Sequence, residues 1–133
     1  MQDFEVQTVE LAASFDVAFR YVADARTLPE WTHAFRSVGD GRATLVTSKG
    51  AVDVGLEVIA SRDAGTVDWT MSFPDGSVGR AFSRLVDRDG RCLYSFVLLA
   101  PPVPLEQVEG ALAEQSRALR GELATLQRKL AKG

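Results

Sequence analysis

The feature that most constrains this chain is a long amphipathic segment at its C-terminal end, from Val103 to Gly133, which follows two consecutive prolines. Its apolar residues recur at steps of three and four, and this spacing predicts a helix with one apolar stripe. The stripe consists of Leu105, Val108, Leu112, Leu119, Leu123, Leu126 and Leu130. Pro104 suits the first turn of such a helix, where its missing N–H costs nothing. A stripe of this length has to be covered, so we expect the helix to lie across another layer.

One polar residue, Gln115, lies in the middle of this stripe. A buried amide without a hydrogen-bond partner costs about 1–3 kcal/mol. We therefore expect Gln115 either to pair with a backbone group or to face a cavity between the helix and the layer that it covers.

The middle of the chain has the pattern of an antiparallel meander. Apolar and polar residues alternate there, and turn signals rich in glycine and aspartate divide the alternation into segments. The predicted strands are Arg42 to Ser48, Ala51 to Ala60, Thr66 to Phe73, Val78 to Val86 and Arg91 to Ala100. Together with an alternating segment from Phe4 to Leu11, they predict a sheet of about six strands.

Two short helices are predicted between the first strand and the meander. Ser14 is a suitable N-cap for the first helix, whose apolar face carries Phe15, Ala18, Phe19 and Val22. The second helix is predicted from Leu28 to Phe35, with Pro29 in its first turn. The predicted order is therefore strand, two helices, meander and long helix.

The turn lengths predict which strand residues face the core, because a shift of one residue reverses both faces of a strand. A four-residue loop from Pro74 to Ser77 would pair Met71 with Arg80 and Trp69 with Phe82. A three-residue turn at Gly90 would pair Phe82 with Phe96. The predicted inner face contains Val52, Val54, Leu56, Val58, Val67, Trp69, Met71, Phe73, Arg80, Phe82, Tyr94 and Phe96. Leu85, Leu93, Val97 and Leu99 would then form an outward apolar patch.

Length and composition predict an ordinary globular protein. The 133 residues are expected to form a single domain over 1–133, with a net charge of −3 and no basic face for nucleic acid. The lone Cys92 excludes an internal disulfide and supplies no metal cluster. Neither an apolar run long enough to span a membrane nor an export leader is present, so we expect a cytoplasmic protein.

The predicted order of elements is that of the helix-grip architecture, an α+β fold in which a curved antiparallel sheet grips a long C-terminal helix on its concave face. The run Val17-Ala18-Phe19-Arg20-Tyr21-Val22-Ala23-Asp24, followed by Leu28-Pro29-Glu30-Trp31, also resembles the START-like (SRPBCC, Bet v 1-like) superfamily, in particular its polyketide cyclase/dehydrase and lipid-transport branch. This resemblance implies a hydrophobic ligand between the sheet and the helix. Larger members have seven strands, so a sheet of about six implies a smaller cavity.

Three side chains are candidates for chemistry. Arg80, on the predicted inner face, would clamp a carboxylate or phenolate on an apolar ligand; the alternative is an arginine that reaches water or pairs with Asp75. His33, which the resemblance places near the cavity mouth, is of a residue type that serves as a general acid or base near neutral pH, although a solvent-exposed helix histidine is the commoner explanation. Tyr94 would donate a proton or a hydrogen bond, or would simply be a core aromatic residue.

The ligand-binding residues predicted from the register and the resemblance are Trp31, Phe35, Val54, Leu56, Trp69, Met71, Arg80, Phe82, Tyr94, Phe96, Leu112, Gln115 and Leu119. Phosphate-binding loops, nucleophile elbows and metal-spaced ligands are absent from the sequence, so no cofactor or metal is predicted. Three functions remain open. The first is a binding protein that sequesters or transports a lipid, quinone or polyketide-like molecule. The second is a cofactor-independent cyclase, aromatase or dehydratase that uses the same cavity, and the third is a protein-interaction module or homodimer.

Overall fold

The computed structural model describes residues 3–47, 50–100 and 105–131. Over these residues the chain forms a curved seven-stranded antiparallel sheet and three α-helices. The elements, in chain order, are β1 (Phe4–Leu11), α1 (Phe15–Ala23), a short 3-10 helix (Ala25–Thr27), α2 (Leu28–Trp31), β2 (Phe35–Gly39), β3 (Arg42–Thr47), β4 (Gly50–Ser61), β5 (Thr66–Ser72), β6 (Val78–Arg88), β7 (Arg91–Leu99) and α3 (Leu105–Leu130).

The sheet follows the order of a meander closed by the first strand. Its strand order is β1-β7-β6-β5-β4-β3-β2, so β1 and β2 are the two edges. The apolar stripe of α3 packs on one face of this sheet, which confirms the predicted helix-grip architecture. Within the described residues, no helix is both long enough and apolar enough to cross a membrane.

The first helical segment forms as its sequence predicts. The Ser14 hydroxyl accepts a hydrogen bond from the Val17 N–H at 3.3 Å, which caps α1, and Ala18, Phe19 and Val22 are buried. The Tyr21 hydroxyl donates to a carboxylate oxygen of Glu30 at 2.8 Å and so links α1 to α2.

The predicted second helix is too long. It ends at Trp31, because Thr32 has extended backbone angles, and Phe35 already begins strand β2. A hairpin through Gly41, whose φ is +69°, then joins β2 to β3. The sheet therefore has seven strands rather than about six. A five-residue edge strand next to a helix has too short an alternation to be separated from helical periodicity.

The predicted register between β5 and β6 is wrong by one residue. Thr70 pairs with Arg80 and Met71 with Gly79. The hairpin loop holds five residues, 73–77, because the ladder ends at Ser72 and Val78, whereas four were predicted. As a result Ala81, Ser83 and Leu85 face the core. Arg80 and Phe82, predicted to point inward, lie on the outer face, and Leu85 does not belong to the outward patch.

The turn between β6 and β7 was also predicted one residue too long. It consists of Asp89 and Gly90, with φ values of 52° and 88°, and pairs Leu85 with Tyr94 and Ser83 with Phe96. Two positive φ values suit the twist of a two-residue hairpin. The two errors cancel for β7, so Tyr94 and Phe96 point inward as predicted.

The described part of α3 buries the predicted stripe. Leu112, Leu119, Leu123, Leu126 and Leu130 are all less than 9% exposed. The segment 101–104 and the side chains of 105–111, which include Pro104, Leu105 and Val108, lie outside the described residues.

The polar position in the stripe is Ser116 and not Gln115, which is exposed. The side-chain amide of Gln7, on β1, donates to the carbonyl oxygen of Ser116 at 2.9 Å and to its hydroxyl at 3.1 Å. The polar groups in the middle of the stripe are therefore satisfied across the helix–sheet interface, by a partner distant in sequence.

Candidate functional site

A run of four aromatic rings lies in the interior, and we refer to Trp31, Trp69, Tyr94 and Phe96 as the aromatic cluster. Trp31 and Tyr94 meet edge to face with ring centres 6.4 Å apart, and Tyr94 meets Phe96 in the same way at 6.4 Å. Phe96 and Trp69 stack at 5.8 Å. The cluster therefore runs continuously from the end of α2 across β7 to β5.

The cluster buries three polar atoms without partners. Trp31, Trp69 and Tyr94 are 2%, 3% and 0% exposed. Among the described residues, neither indole N–H nor the Tyr94 hydroxyl forms a hydrogen bond. A buried donor left unpaired costs about 1–3 kcal/mol. Three unpaired donors in one apolar region call for a partner that the protein itself does not supply, either ordered water or a bound molecule.

The environment of Tyr94 keeps its phenol protonated. Burial raises the pKa of Tyr94 far above its usual value, and the Asp68 carboxylate adds to this. The Ser83 side chain is close enough to the phenol to lower the pKa in part, although the two hydroxyls do not meet the geometry of a hydrogen bond. Ser83 itself donates to the carbonyl oxygen of Val67 at 2.5 Å. At neutral pH, Tyr94 is therefore a hydrogen-bond donor and not a base.

Apolar side chains surround the aromatic cluster. Ten of the thirteen predicted ligand-binding residues belong to this core or pack against it: Trp31, Phe35, Val54, Leu56, Trp69, Met71, Tyr94, Phe96, Leu112 and Leu119. The other three, Arg80, Phe82 and Gln115, are exposed. The inward orientation predicted for Arg80 is wrong because of the register shift, so this guanidinium does not enter the interior.

His33 lies on the loop that follows α2, and it is exposed. Its backbone N–H donates to a carboxylate oxygen of Glu122 on α3 at 2.6 Å. A Cβ added at Gly121 would lie 3.7 Å from His33 Cε1, so the ring rests beside this turn of the helix. The structure therefore gives Glu122 a role as an anchor for the loop that follows Trp31. The sequence did not predict this contact, because Glu122 has the same spacing as any other polar residue beside the apolar stripe of α3.

We expect Glu122→Gln to change the pH dependence of stability. Burial raises the pKa of Glu122, and the backbone N–H groups of His33 and Ala34 and the charge of His33 offset this in part. Between the usual and the raised pKa the folded state holds a proton that the unfolded state has lost, so the free energy of unfolding falls as pH rises. The glutamine variant should lose this decline, as measured by urea unfolding between about pH 4 and pH 7.

The matched control is Glu114→Gln, an exposed glutamate on the same helix. It should leave the slope of stability against pH as in the parent. If Glu122→Gln and Glu114→Gln give the same slope, the buried carboxylate is not the group that titrates.

Within the described residues, neither the cysteine nor the metal-ligating side chains supply a reactive nucleophile or a metal site. Cys92 is buried, and burial, followed by the Asp87 charge, raises the pKa of its thiol. Such a thiol is a poor nucleophile. Among residues 3–47, 50–100 and 105–131, His, Cys, Asp and Glu form no group of three or more that could hold a metal.

Two surface depressions are polar rather than hydrophobic. One, of about 250 Å³, is lined by Ser37, Gly39, Arg42, Ala43, Thr44 and Asp53. The other, of about 370 Å³, lies around Arg62, Gly65 and Arg84. Neither is lined by a residue of the aromatic cluster.

Sequence comparisons give no relative. No protein-family model matches the chain, and no curated protein matches it.

Solved structures, in contrast, match over nearly the whole chain. A START superfamily protein from Mycobacterium smegmatis is 15% identical, with a TM-score of 0.66 over 98% of this chain and 99% of the other. The Zhui aromatase/cyclase from Streptomyces sp. R1128 is 10% identical, with a TM-score of 0.65 over 97% of this chain and 91% of the other. The di-domain ARO/CYC protein BexL is 15% identical, with a TM-score of 0.66 over 96% of this chain and 46% of the other.

These similarities show a START-like fold, as the resemblance in sequence predicted. At 10–15% identity they compare backbones and do not transfer individual residues. The functional argument therefore depends on the side chains of this chain, and above all on the aromatic cluster.

Proposed function

We propose that this protein binds a small, largely apolar ligand between the sheet and α3, and sequesters or transports it. The observation that carries the proposal is the aromatic cluster with its unpaired indole N–H groups and unpaired phenol. A fully apolar core would serve stability better, since each unpaired donor costs free energy. A ligand that accepts these hydrogen bonds would recover that cost.

The chemistry of the cluster defines the class of ligand. An indole N–H can only donate, and the Tyr94 phenol remains protonated, so the ligand has to supply acceptor oxygens or nitrogens. The surrounding aliphatic and aromatic walls favour a hydrophobic body. A quinone, a polyketide-like aromatic molecule or a lipid with a carbonyl group meets both requirements. Among the described residues, no arginine or lysine is buried, which argues against a ligand whose affinity depends on an anionic group.

A second candidate function is a cofactor-independent cyclase, aromatase or dehydratase. Two of the similar structures are of proteins named as aromatase/cyclase, which makes this chemistry compatible with the fold. In this chain the Tyr94 phenol, buried beside the two unpaired indole N–H groups, is able to polarise a ligand carbonyl by donating a hydrogen bond. His33, exposed and outside the cluster, is not positioned to complete an acid–base pair with it.

The test is ligand binding by the intact protein and its variants. Native mass spectrometry of freshly purified protein, followed by organic extraction, would identify a bound molecule. Menadione, flavone and oleate serve as probes, with quenching of tryptophan fluorescence as the signal, because both tryptophans of the chain belong to the cluster.

We expect Tyr94→Phe to weaken the binding of an acceptor-bearing probe by about tenfold, since it removes one buried hydrogen bond. It should lower the stability of the free protein only slightly, because the phenol forms no geometrically defined hydrogen bond there and only interacts with the nearby Ser83 side chain. The matched control is Phe82→Leu, an aromatic change on the outer face, which should leave binding unchanged.

Two outcomes would contradict binding in the interior. One is a clean apo mass together with no quenching by any of the three probes. The other is a Tyr94→Phe variant that binds every probe like the parent. Conversion of a poly-ketone probe that depends on the Tyr94 hydroxyl, followed by mass spectrometry, would favour the enzymatic alternative over simple binding.

A further inference from the structure

The outer face of β6 carries an alternating pattern that the proposed ligand site does not use. Its outward residues, Arg80, Phe82, Arg84, Val86 and Arg88, are all exposed, and we refer to them as the basic strip. Phe82 is 37% and Val86 is 41% exposed. Successive outward residues on a strand are about 6.8 Å apart, so the strip extends for about 27 Å.

The three guanidinium groups of the strip are not neutralised by the protein. Within the described residues, Arg80, Arg84 and Arg88 form no ion pair, whereas Arg26, Arg62 and Arg91 each have a carboxylate partner. Across the sheet, Thr66 and Ser95 lie opposite Arg84, and Thr70 lies opposite Arg80. Asp68, between the two threonines on β5, accepts a hydrogen bond from the Ser83 N–H at 3.2 Å and forms an ion pair with neither arginine. These exposed arginines are about 13.6 Å apart along the strand, so they are largely screened from one another and remain available to a partner.

Beside the basic strip, apolar side chains continue the outer face of the sheet across β7 and β1. Val97 lies opposite Phe82, and Val6 on β1 lies opposite Val97, so the three side chains form one row across the sheet. Leu93 lies opposite Val86 in the same way. Val6 is 52% exposed. The outer face of the sheet therefore has the basic strip on β6 and apolar side chains beside it on β7 and β1.

We propose that this face binds an acidic, amphipathic helix of another protein. Such a helix, lying along β7 beside the strip, would place its apolar side on Val97 and Leu93 and one acidic flank along Arg80, Arg84 and Arg88. Charge complementarity sets the orientation of the helix, and these apolar residues supply the buried area. A strip of about 27 Å accommodates about 18 helical residues at a rise of 1.5 Å each.

Two other classes of partner fit this face less well. A nucleic acid would gain from the arginines but not from the valines beside them, and the chain as a whole has a net charge of −3. A bilayer favours apolar groups that protrude at loop tips, whereas these lie on a sheet face level with the arginines. The combination of an apolar surface and one charged edge matches an amphipathic helix.

The experiment measures fluorescence anisotropy of a labelled synthetic helix with leucines along one face and glutamates along one flank. A peptide with lysine at every glutamate position is the charge control. We expect the acidic peptide to bind the parent saturably, and more weakly as NaCl rises from about 50 mM to about 500 mM. The double variant Arg80→Glu/Arg84→Glu should weaken binding by about tenfold or more.

The matched control is Arg117→Glu/Arg120→Glu, which changes the net charge equally at two exposed positions on α3 and should leave the affinity within about twofold. Circular dichroism establishes that both double variants are folded. A third variant, Val97→Glu, should weaken peptide binding through the apolar row.

The proposal is overturned if the acidic peptide does not bind, if the lysine peptide binds equally well, or if both double variants behave alike. Binding of oligo-dT or of phosphatidylserine vesicles that is abolished by Arg80→Glu/Arg84→Glu, without peptide binding, would assign the face to those partners instead. A parent dimer in light scattering that this variant dissociates would assign it to a second copy. None of these readouts depends on a ligand in the interior, so this proposal and the proposed function fail separately.

Discussion

Gly65→Ala is expected to lower the free energy of unfolding by about 2–5 kcal/mol, because it combines a left-handed backbone position with a backbone clash. Gly65 has a φ of +74°, and a Cβ at this position would clash with the carbonyl oxygen of Leu85. That carbonyl cannot move freely, because the adjacent N–H of Leu85 donates to the carbonyl oxygen of Gly65 at 2.7 Å. Denaturant unfolding followed by circular dichroism measures the loss.

Gly76→Ala is the matched control for this prediction. Gly76 also has a positive φ, +89°, but a Cβ there would meet nothing within 4 Å. It should therefore cost about 1 kcal/mol, the strain of the left-handed conformation alone. Equal losses for the two variants would mean that the contact between the β4–β5 turn and β6 does not constrain the fold.

Leu126→Ala is expected to lower the free energy of unfolding by about 2–5 kcal/mol, because it leaves a cavity in a closely packed interface. Leu126 is 0% exposed and belongs to the stripe by which α3 packs on the sheet. The long helix gains its stability from this packing rather than from its own hydrogen bonds. Urea unfolding should show a lower midpoint with an unchanged slope.

The comparison for Leu126→Ala is Leu99→Ala, the same change at a position that is 40% exposed at the end of β7. It should cost less than about 1 kcal/mol, since little of its side chain leaves water on folding. A small loss at Leu126 would indicate that the sheet closes around the missing atoms or that α3 packs less tightly than the structure shows.

The sequence was most informative where a feature depends on neighbours in the chain. The Ser14 cap, the buried face of α1 and the leucine stripe of α3 follow from spacing within one element, and the structure confirms them. The inward orientation of Trp69, Tyr94 and other strand residues follows from alternation, which survives any register shift of an even number of residues.

The errors in strand orientation arose because an odd or even number of residues in a hairpin loop decides which face each strand residue takes. The hairpin at 73–77 holds five residues rather than four, and this single residue moved Arg80 from the interior to the outer face. The Phe73 N–H donates to the Ser77 carbonyl oxygen at 2.9 Å, and the Gly76 N–H donates to the Phe73 carbonyl oxygen at 3.0 Å. Several turn geometries suit Pro-Asp-Gly-Ser, so composition could not choose between them.

The sequence by itself determined that this chain forms an antiparallel sheet gripping a C-terminal helix, because periodicity and turn residues are local properties. Contacts between distant residues were decided by the tertiary structure alone: Gln7 with Ser116, Glu122 with the His33 backbone, and the joining of Trp31 to Tyr94. Each pairs residues more than sixty positions apart, and such a contact depends on how whole elements dock. For the same reason the unpaired donors of the interior and the basic strip became visible only in the folded protein.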